Sequence, residues 1–446
     1  MKRQMMAELV KWKASKYRKP LILRGIRQCG KTWLLKEFGK DNYHNIAYIN
    51  FDENPEYNQF FKLTKNPKRI IESLEIVLGM NIEKGNTLII FDEIQESNEA
   101  LNSLKYFEEN ATDYHIVCAG SLLGITLSKP KSFPVGKVDF MKLYPMSFYE
   151  FLDAYGKSNL LKYLKTSDTI EVIPDLFFNQ LTEALKVYFI IGGLPEVILC
   201  FIEEKNMDLV ERTLEFILLS YEHDFMKYPN IKDLPKIKLI WDSIPSQLAK
   251  ENKKFLYKVV KSGARAREYE DALRWLNDAD LISQVYRSSK PGLPLSAYDD
   301  LSAFKIYLSD VGLLRKKSKI STNIFTQGDK LFTEFKGSFT ENYVINNLVR
   351  ILGYTPRYWT PENANIKAEI DFLIQIENDI YPVEAKAGIN IKSTSLKKYM
   401  KMYPEETKLR IRYSLKNLSF NGNILNIPLF MIEDTLSLVN KALDLK

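Results

Sequence analysis

Pro20-Leu-Ile-Leu-Arg-Gly-Ile-Arg-Gln-Cys-Gly-Lys-Thr-Trp-Leu-Leu35 decides the reading of this chain. Leu21, Ile22 and Leu23 form an apolar run long enough for a buried parallel strand. Gly25 to Thr32 then fits G-x-x-x-x-G-K-[ST], the pattern of a phosphate-binding loop. Gly25 and Gly30 let the backbone turn tightly and approach a phosphate with no Cβ in the way. The N–H groups point into the loop, and the next helix begins there with its positive end. Lys31 adds a full charge for the β and γ phosphates, and Thr32 offers a hydroxyl to Mg²⁺. Gly25, Ile26, Arg27, Gln28, Cys29, Gly30, Lys31, Thr32 and Trp33 are therefore the candidate contacts of a bound nucleotide.

Thr87-Leu-Ile-Ile-Phe-Asp-Glu93 supports that reading. An apolar strand ending in two carboxylates delivers Asp92 to hold Mg²⁺ and Glu93 to orient or deprotonate the attacking water. Between these stretches, Ile46 to Phe51 reads as a strand and Ile70 to Met80 as a helix. After them come a helix at Ala100 to Asn110 and a strand at His115 to Ser121. Residues 5 to 17 read as a short helix ahead of the first strand. Alternating strands and helices make a parallel sheet covered on both faces, with ligands beyond the carboxyl ends of its strands. Ser121 stands at such an end, either to sense the γ-phosphate or to cap the next helix. ATP and Mg²⁺ are the expected cofactors.

With 446 residues, two to four domains are expected, and 45% hydrophobic with 27% charged residues is ordinary globular composition. Three scattered cysteines and three dispersed histidines exclude a disulfide framework and a Cys/His zinc site. Cys29 reads as a spacer rather than a nucleophile. No apolar run reaches the roughly 18 residues of a membrane span. The closest, Val187 to Ile202, is broken by Gly192, Gly193, Pro195 and Glu196. The N-terminus lacks a signal-peptide core, so a soluble cytoplasmic protein is expected. The net charge of +7 is uneven: Lys236 to Lys290 holds twelve Lys/Arg against seven Asp/Glu. Such an excess is either a nucleic-acid footprint or a solvated face.

Further along stand Phe133-Pro-Val-Gly-Lys-Val-Asp-Phe140, Leu143-Tyr-Pro-Met-Ser-Phe-Tyr-Glu-Phe-Leu152 and Gly192-Gly193-Leu194-Pro195-Glu196. With these segments the chain resembles a large bacterial and archaeal family of AAA-type ATPases with an uncharacterised C-terminal domain. The resemblance covers nearly the whole chain and implies the RecA/AAA branch of P-loop enzymes. Lys137 stands where that family usually has Arg; if the position contacts the γ-phosphate, a point charge replaces a bidentate fork, so an arginine-finger role does not carry over to Lys137.

Phe151 to Pro235 reads as mostly helical, with Asp208 to Tyr221 its clearest amphipathic helix. Helices are then expected at Ile237–Ala249, Asn252–Lys261 and Ala266–Asp278, followed by strands at Leu281–Arg287 and Ala303–Leu308. Helices followed by a two-stranded wing make a winged helix, as the resemblance also implies. Arg265, Arg267 and Arg274 lie at or on its third helix, either to enter a DNA major groove or to face a packing partner. Lys316 to Gln327 reads as a polar linker. In the last unit, Glu341 opens a helix at Ser338 to Leu352, and strands run through Glu369–Ile374 and Asp379–Lys386. Glu384 and Lys386 project to one face, and a hairpin partner brings Asp371 beside them. Read by itself, this is either an exposed hairpin of alternating charge or a site. It looks like the PD-(D/E)xK constellation of restriction-endonuclease-like folds, in which Glu341, Asp371 and Glu384 serve a metal and Lys386 the developing charge.

The expected fold is α/β: a P-loop NTPase parallel sheet, RecA/AAA-like, at 1–155, then a helical extension at 156–235. A winged helix at 236–318 and a PD-(D/E)xK nuclease-like α/β unit at 330–446 come after it. The expected function is Mg²⁺-dependent ATP hydrolysis coupled to a C-terminal DNA-binding or nuclease-like module. Double-stranded DNA, a protein partner or further copies of the chain are the expected partners. The rival is an ATP-switched signalling or scaffold protein with an inactive nuclease fold.

Overall fold

A computed structural model of the chain describes residues 1–121, 136–166, 169–227, 233–250, 254–322, 337–361, 365–386, 388 and 394–445. These fall into two compact units. One is Met1–Met146 with Asp278–Asp280, and the other is Ser147–Asn277 with Leu281–Lys446.

The first unit holds five strands: β1 (Leu21–Arg24), β2 (Asn45–Asn50), β3 (Thr87–Asp92), β4 (His115–Ala119) and β5 (Asp139–Lys142). They lie in the order β2-β3-β4-β1-β5, and every pairing is parallel. One face of the sheet presents Ile22, Ala47, Ile49, Ile89, Phe91, Ile116 and Cys118 to one apolar cluster. The helices α3 (Asn58–Leu63), α4 (Pro67–Leu78) and α5 (Asn98–Asn110) complete it through Phe61, Ile70, Leu74, Leu104 and Phe107. Residues two apart share a face, so Leu88 and Ile90 turn the other way. Helix α2 (Lys31–Asn42) packs on β2, β3 and β4, burying Leu34, Leu35 and Phe38. Helix α1 (Met5–Ala14) ends three residues short of the expected Tyr17. Helix α4 starts a turn before Ile70, because the Asn66 side chain accepts from Lys68 N–H and Pro67 fits the first turn. The strand order sets what can meet at the carboxyl edge: β4 separates β3 from β1, so the ends of all three lie side by side.

The second unit is built on eight strands: β6 (Ile282–Ser288), β7 (Asp299–Leu308), β8 (Arg357–Trp359), β9 (Ile370–Ile376), β10 (Asp379–Ala385), β11 (Arg410–Ser414), β12 (Ser419–Asn421) and β13 (Ile424–Pro428). Their order is β12-β13-β11-β10-β9-β8-β6-β7. The antiparallel β6–β7 hairpin, read from the sequence as a wing, is not self-contained. Arg287 and Ser288 of β6 pair in parallel with Tyr358 and Trp359 of β8, which joins the hairpin to the C-terminal strands in one sheet. The helices Leu234–Leu248 and Ala266–Asp278 stand close to the expected positions. The one expected at Asn252–Lys261 is helical only over Tyr257–Val260. Residues 251–253 lie outside the described residues. Phe255 instead donates its N–H to the Phe304 carbonyl at 2.7 Å and stacks on the Phe304 ring, so contacts with a residue distant in sequence override helical propensity there.

The expected linker also begins differently. Lys316 and Lys317 end a helix, Val311–Lys317, that the sequence reading missed. Asp310 caps it by accepting from Leu313 N–H and reaches across to accept from Gly193 N–H at 2.7 Å. Burial pushes the Asp310 carboxyl up, and the backbone donors Gly193, Leu313 and Gly312 pull it down. Arg315, fully buried, donates to the carbonyls of Ile190 and Ile320 and pairs with Glu211. The Gly-Gly-x-Pro turn thus has a structural cause. Gly192 adopts φ 76°, ψ −167°, open almost only to glycine, and a Cβ there would stand 2.1 Å from Asp310 Oδ1. The helices before and after this turn, Asp175–Ile191 and Pro195–Glu204, are bent by 119°, and among the described residues no single helix is long and apolar enough to cross a membrane.

Gly192→Ala combines a disfavoured backbone with loss of the Asp310 bonds, an expected cost of about 2–4 kcal/mol. A clear fall in the urea midpoint of the second unit, followed by circular dichroism, is the expected result. A midpoint equal to the parent's removes this account of the turn.

Candidate functional sites

The loop after β1 is shaped before any ligand arrives. Gly25 has φ 148°, and a Cβ on it would meet the Leu143 carbonyl oxygen at 2.2 Å. Gln28 is left-handed at φ 63°, and Gly30, at φ 90°, stands at the N-terminus of α2. Cys29 is fully buried with its thiol toward the Leu143 carbonyl, which suits a spacer. Arg3, which the sequence reading passed over, braces the loop from outside. Its guanidinium donates to Cys29 O at 2.8 Å and to Tyr144 O at 2.6 Å. Lys31 Nζ donates to the carbonyls of Gly25 and Ile26, each at 2.9 Å, and so stays within the loop. Arg27 and Trp33 are exposed at the mouth.

At the end of β3, Asp92 is 3% exposed. Its Oδ2 accepts from Thr32 Oγ1 at 2.8 Å and from Tyr48 at 2.9 Å, and its Oδ1 accepts from Glu93 N–H at 3.1 Å. Among the described residues no Lys or Arg pairs with it. A buried carboxylate bound by a P-loop threonine and lacking a counter-charge has the donor chemistry that Mg²⁺ requires, so the residues fit that ion. Glu93 sits in left-handed backbone, φ 48° and ψ 45°. This conformation costs energy in a non-glycine residue and persists only where its surroundings hold it. Its Oε2 accepts from Gln95 Nε2 and from Ser121 Oγ at 3.2 Å. Ser121 is thus tied to Glu93, and the helix it was expected to cap lies outside the described residues. So do Phe133 to Val135. Lys137 is engaged elsewhere: its ammonium lies 2.9 Å from Glu108 and 3.3 Å from Glu109, at the end of α5.

A second cluster forms in the eight-stranded sheet. The β9–β10 ladder pairs Phe372 with Val383, and Asp371 extends it by accepting from Ala385 N–H at 2.8 Å. Glu384 is buried beside Lys386, whose Nζ is 3.5 Å from Glu384 Oε1. Glu341, on the Ser338–Leu352 helix, accepts from the Tyr307 hydroxyl at 2.9 Å. Lys305 of β7 has no exposed side-chain surface, pairs with Glu369 and lies 4.8 Å from the Tyr358 ring centre. Burial pushes Asp371 up to about 7, helped by Glu341 and opposed by Lys386 and Lys305. Burial opposes the charge on Lys386, yet Asp371, Glu384 and Glu341 together hold its pKa above the usual value.

Asp371, Glu384, Lys386 and Glu341 therefore share one electrostatic neighbourhood. Lys305, Tyr307 and Glu369 belong to it as well, and sequence reasoning missed them. A lone Lys inside the apolar run Ala303–Leu308 was the available signal. Among the described residues no three His, Cys, Asp or Glu converge as a metal ligand set. The carboxylates are interleaved with lysines instead. Arg265, Arg267 and Arg274 are exposed on or beside the Ala266–Asp278 helix.

Residues 17–152 match the family model of an AAA domain. Over these residues the chain is similar to AAA-type P-loop ATPase domains. Residues 182–323 match a domain of unknown function, DUF8612, and residues 336–431 another, DUF4143. No curated protein matches. Among solved structures, a Walker-type ATPase of Pyrococcus abyssi is similar at 15% identity, over 71% of this chain and 95% of that one, with a TM-score of 0.41. The Drosophila ORC bound to DNA is similar at 16% identity over 71% and 93%, TM-score 0.31. The Aeropyrum pernix ORC1 protein in complex with DNA is similar at 11% identity over 72% and 93%, TM-score 0.29. At such scores, what those proteins bind is a statement about them alone.

A raised Asp371 pKa has a definite sign. The folded state holds the proton more tightly, so the stability contributed is full below the unfolded value near 4 and lost as pH rises through about 7. Asp371→Asn removes that loss. The variant should melt a few degrees above the parent at pH 8 and show little advantage at pH 4. An advantage independent of pH contradicts the burial argument.

Proposed function

We propose that the AAA-type domain hydrolyses ATP with Mg²⁺ and passes its nucleotide state to a C-terminal module that engages double-stranded DNA. The single observation carrying the ATPase reading is the buried Asp92–Thr32 pair with Glu93 beside it. The loop N–H groups and the start of α2 receive the phosphates, and Lys31 exchanges its two loop carbonyls for phosphate oxygens. Thr32 donates its hydroxyl hydrogen bond to Asp92 and keeps its lone pairs for the ion. Mg²⁺ supplies positive charge against the β and γ phosphates. Glu93, with Oε2 held by Ser121 and Gln95, keeps Oε1 to accept the proton of the attacking water.

Lys31→Ala should weaken nucleotide binding roughly 100-fold, since a desolvated charge pair is lost. Glu93→Gln should bind nucleotide normally and hydrolyse it about 100-fold more slowly or worse. Turnover by Glu93→Gln at the parental rate rules out its role as base.

For the second unit, exposed Arg265 and Arg267 support DNA contact, and the neighbourhood of Asp371, Glu384 and Lys386 supports a nuclease-like site. Asp371 and Glu384 would supply the hard oxygen ligands of a Mg²⁺ held there. Lys386 stands ready to stabilise the developing charge. One observation favours the rival, an inactive nuclease fold in an ATP-switched protein: buried Lys305 already neutralises part of the carboxylate charge. Two measurements separate the readings. Double-stranded DNA binding should fall linearly in log affinity against log salt, and reversal of Arg265 and Arg267 should flatten the slope. Absence of DNA retention at about 50 mM salt rejects DNA engagement. Plasmid nicking with Mg²⁺ or Mn²⁺ that disappears in both Asp371→Ala and Lys386→Ala establishes cleavage, and nicking unchanged in both identifies a contaminant.

A further inference from the structure

Tyr48 is absorbed by neither the loop motif nor the carboxylate strand, yet it bonds directly to the buried carboxylate that joins them. It lies on β2 two residues before Asn50, which stands opposite Asp92 in the β2–β3 register. Residues diagonal by two across a sheet share a face and fall within reach of an aromatic side chain. Ala47 and Ile49 point into the apolar cluster on the other face, so Tyr48 is turned toward α2. On α2, Thr32 and Lys36 are four apart and therefore neighbours on one face. Thr32 reaches Asp92 at 2.8 Å, and the Lys36 ammonium stands 3.7 Å from the centre of the Tyr48 ring. The Tyr48 hydroxyl donates to Asp92 Oδ2 at 2.9 Å.

An ionised carboxylate has about four acceptor positions. On Asp92 two of them, both on Oδ2, are taken by Thr32 and Tyr48, and one on Oδ1 by Glu93 N–H. The remaining position on Oδ1 is the one left for an ion or its water. Thr32 cannot select that orientation alone, because its hydroxyl also serves the ion. Tyr48 is on a different strand, lies under Lys36, and donates its one hydroxyl proton to Asp92 while Asn50 holds the phenol oxygen from the other side.

We propose that Tyr48 is the positioning residue for Asp92, fixing the carboxylate so that one Oδ1 acceptor faces the Mg²⁺ of a bound nucleotide. The assignment rests on the ATPase reading and adds to it a residue that touches neither nucleotide nor ion. Its role is separable from phosphate binding, which belongs to the loop and Lys31.

The test is Tyr48→Phe in the full chain, which keeps the ring and its contact with Lys36. Binding of a fluorescent ATP analogue is measured first without divalent ion and then across a Mg²⁺ titration, alongside ATPase rate against Mg²⁺. Tyr48→Phe should bind the analogue like the parent without Mg²⁺ and require about 10-fold more Mg²⁺ for half-saturation, the loss of one hydrogen bond to a charged group. Its ATPase rate should approach the parental value at saturating Mg²⁺, which general loss of structure does not permit. A Mg²⁺ midpoint within about twofold of the parent's, or a loss of Mg²⁺-free binding, overturns the assignment. A parent that binds no nucleotide overturns the ATPase reading with it, whereas a Mg²⁺-dependent parent beside an unshifted Tyr48→Phe overturns this assignment alone.

Discussion

A carboxylate buried to 3% exposure without a paired Lys or Arg among the described residues is the constraint around which the first unit is arranged. An ionised group in that setting is tolerated only when donors surround it. Asp92 draws them from three elements: a hydroxyl from the start of α2, a phenol from β2 and the next backbone N–H. Each donor fixes the element that carries it. The loop before Thr32 must be short and braced, which Gly25, Gly30 and the Arg3 contact accomplish. The sheet must bring the ends of β3 and β1 within reach on either side of β4, and its order does so.

The second unit obeys the same rule with other means. Asp310 is buried against backbone N–H groups, and Arg315 against carbonyls and Glu211. These bonds join the Gly192–Gly193 turn to the Val311–Lys317 helix. The cluster around Asp371 is the costlier arrangement, because carboxylates and ammonium groups share one desolvated space. Lys305 and Glu369 satisfy one another, while Asp371 is pushed toward its protonated form.

Much of the first unit was legible because its chemistry is local. Gly25 to Thr32 specifies its loop within eight residues, and β3 announces itself by an unbroken apolar run ended by Asp92 and Glu93. Asp371, Glu384 and Lys386 were legible for a similar reason, since strand period alone puts two of them on one face. Less was legible where a partner distant in sequence decides the outcome. The Val311–Lys317 helix was missed because its cap also serves a turn more than a hundred residues earlier. The expected helix at Asn252–Lys261 shrank because Phe255 pairs with the backbone of β7. Arg3 carries no motif at all.

By itself the sequence determined the phosphate-binding loop, the carboxylate-tipped strand, the alternation that makes a parallel sheet, and the acidic hairpin with its lysine. All of these depend on neighbours within a few residues, where backbone geometry and side-chain period are decisive. The tertiary structure alone decided that Tyr48 meets Asp92, that Ser121 and Gln95 hold Glu93, and that Lys305 enters the Asp371 cluster. It also decided that the β6–β7 hairpin belongs to the C-terminal sheet. Those outcomes depend on strand order and register, which bring together groups that share no local pattern, and on the need of every buried charge for a partner wherever the fold can supply one.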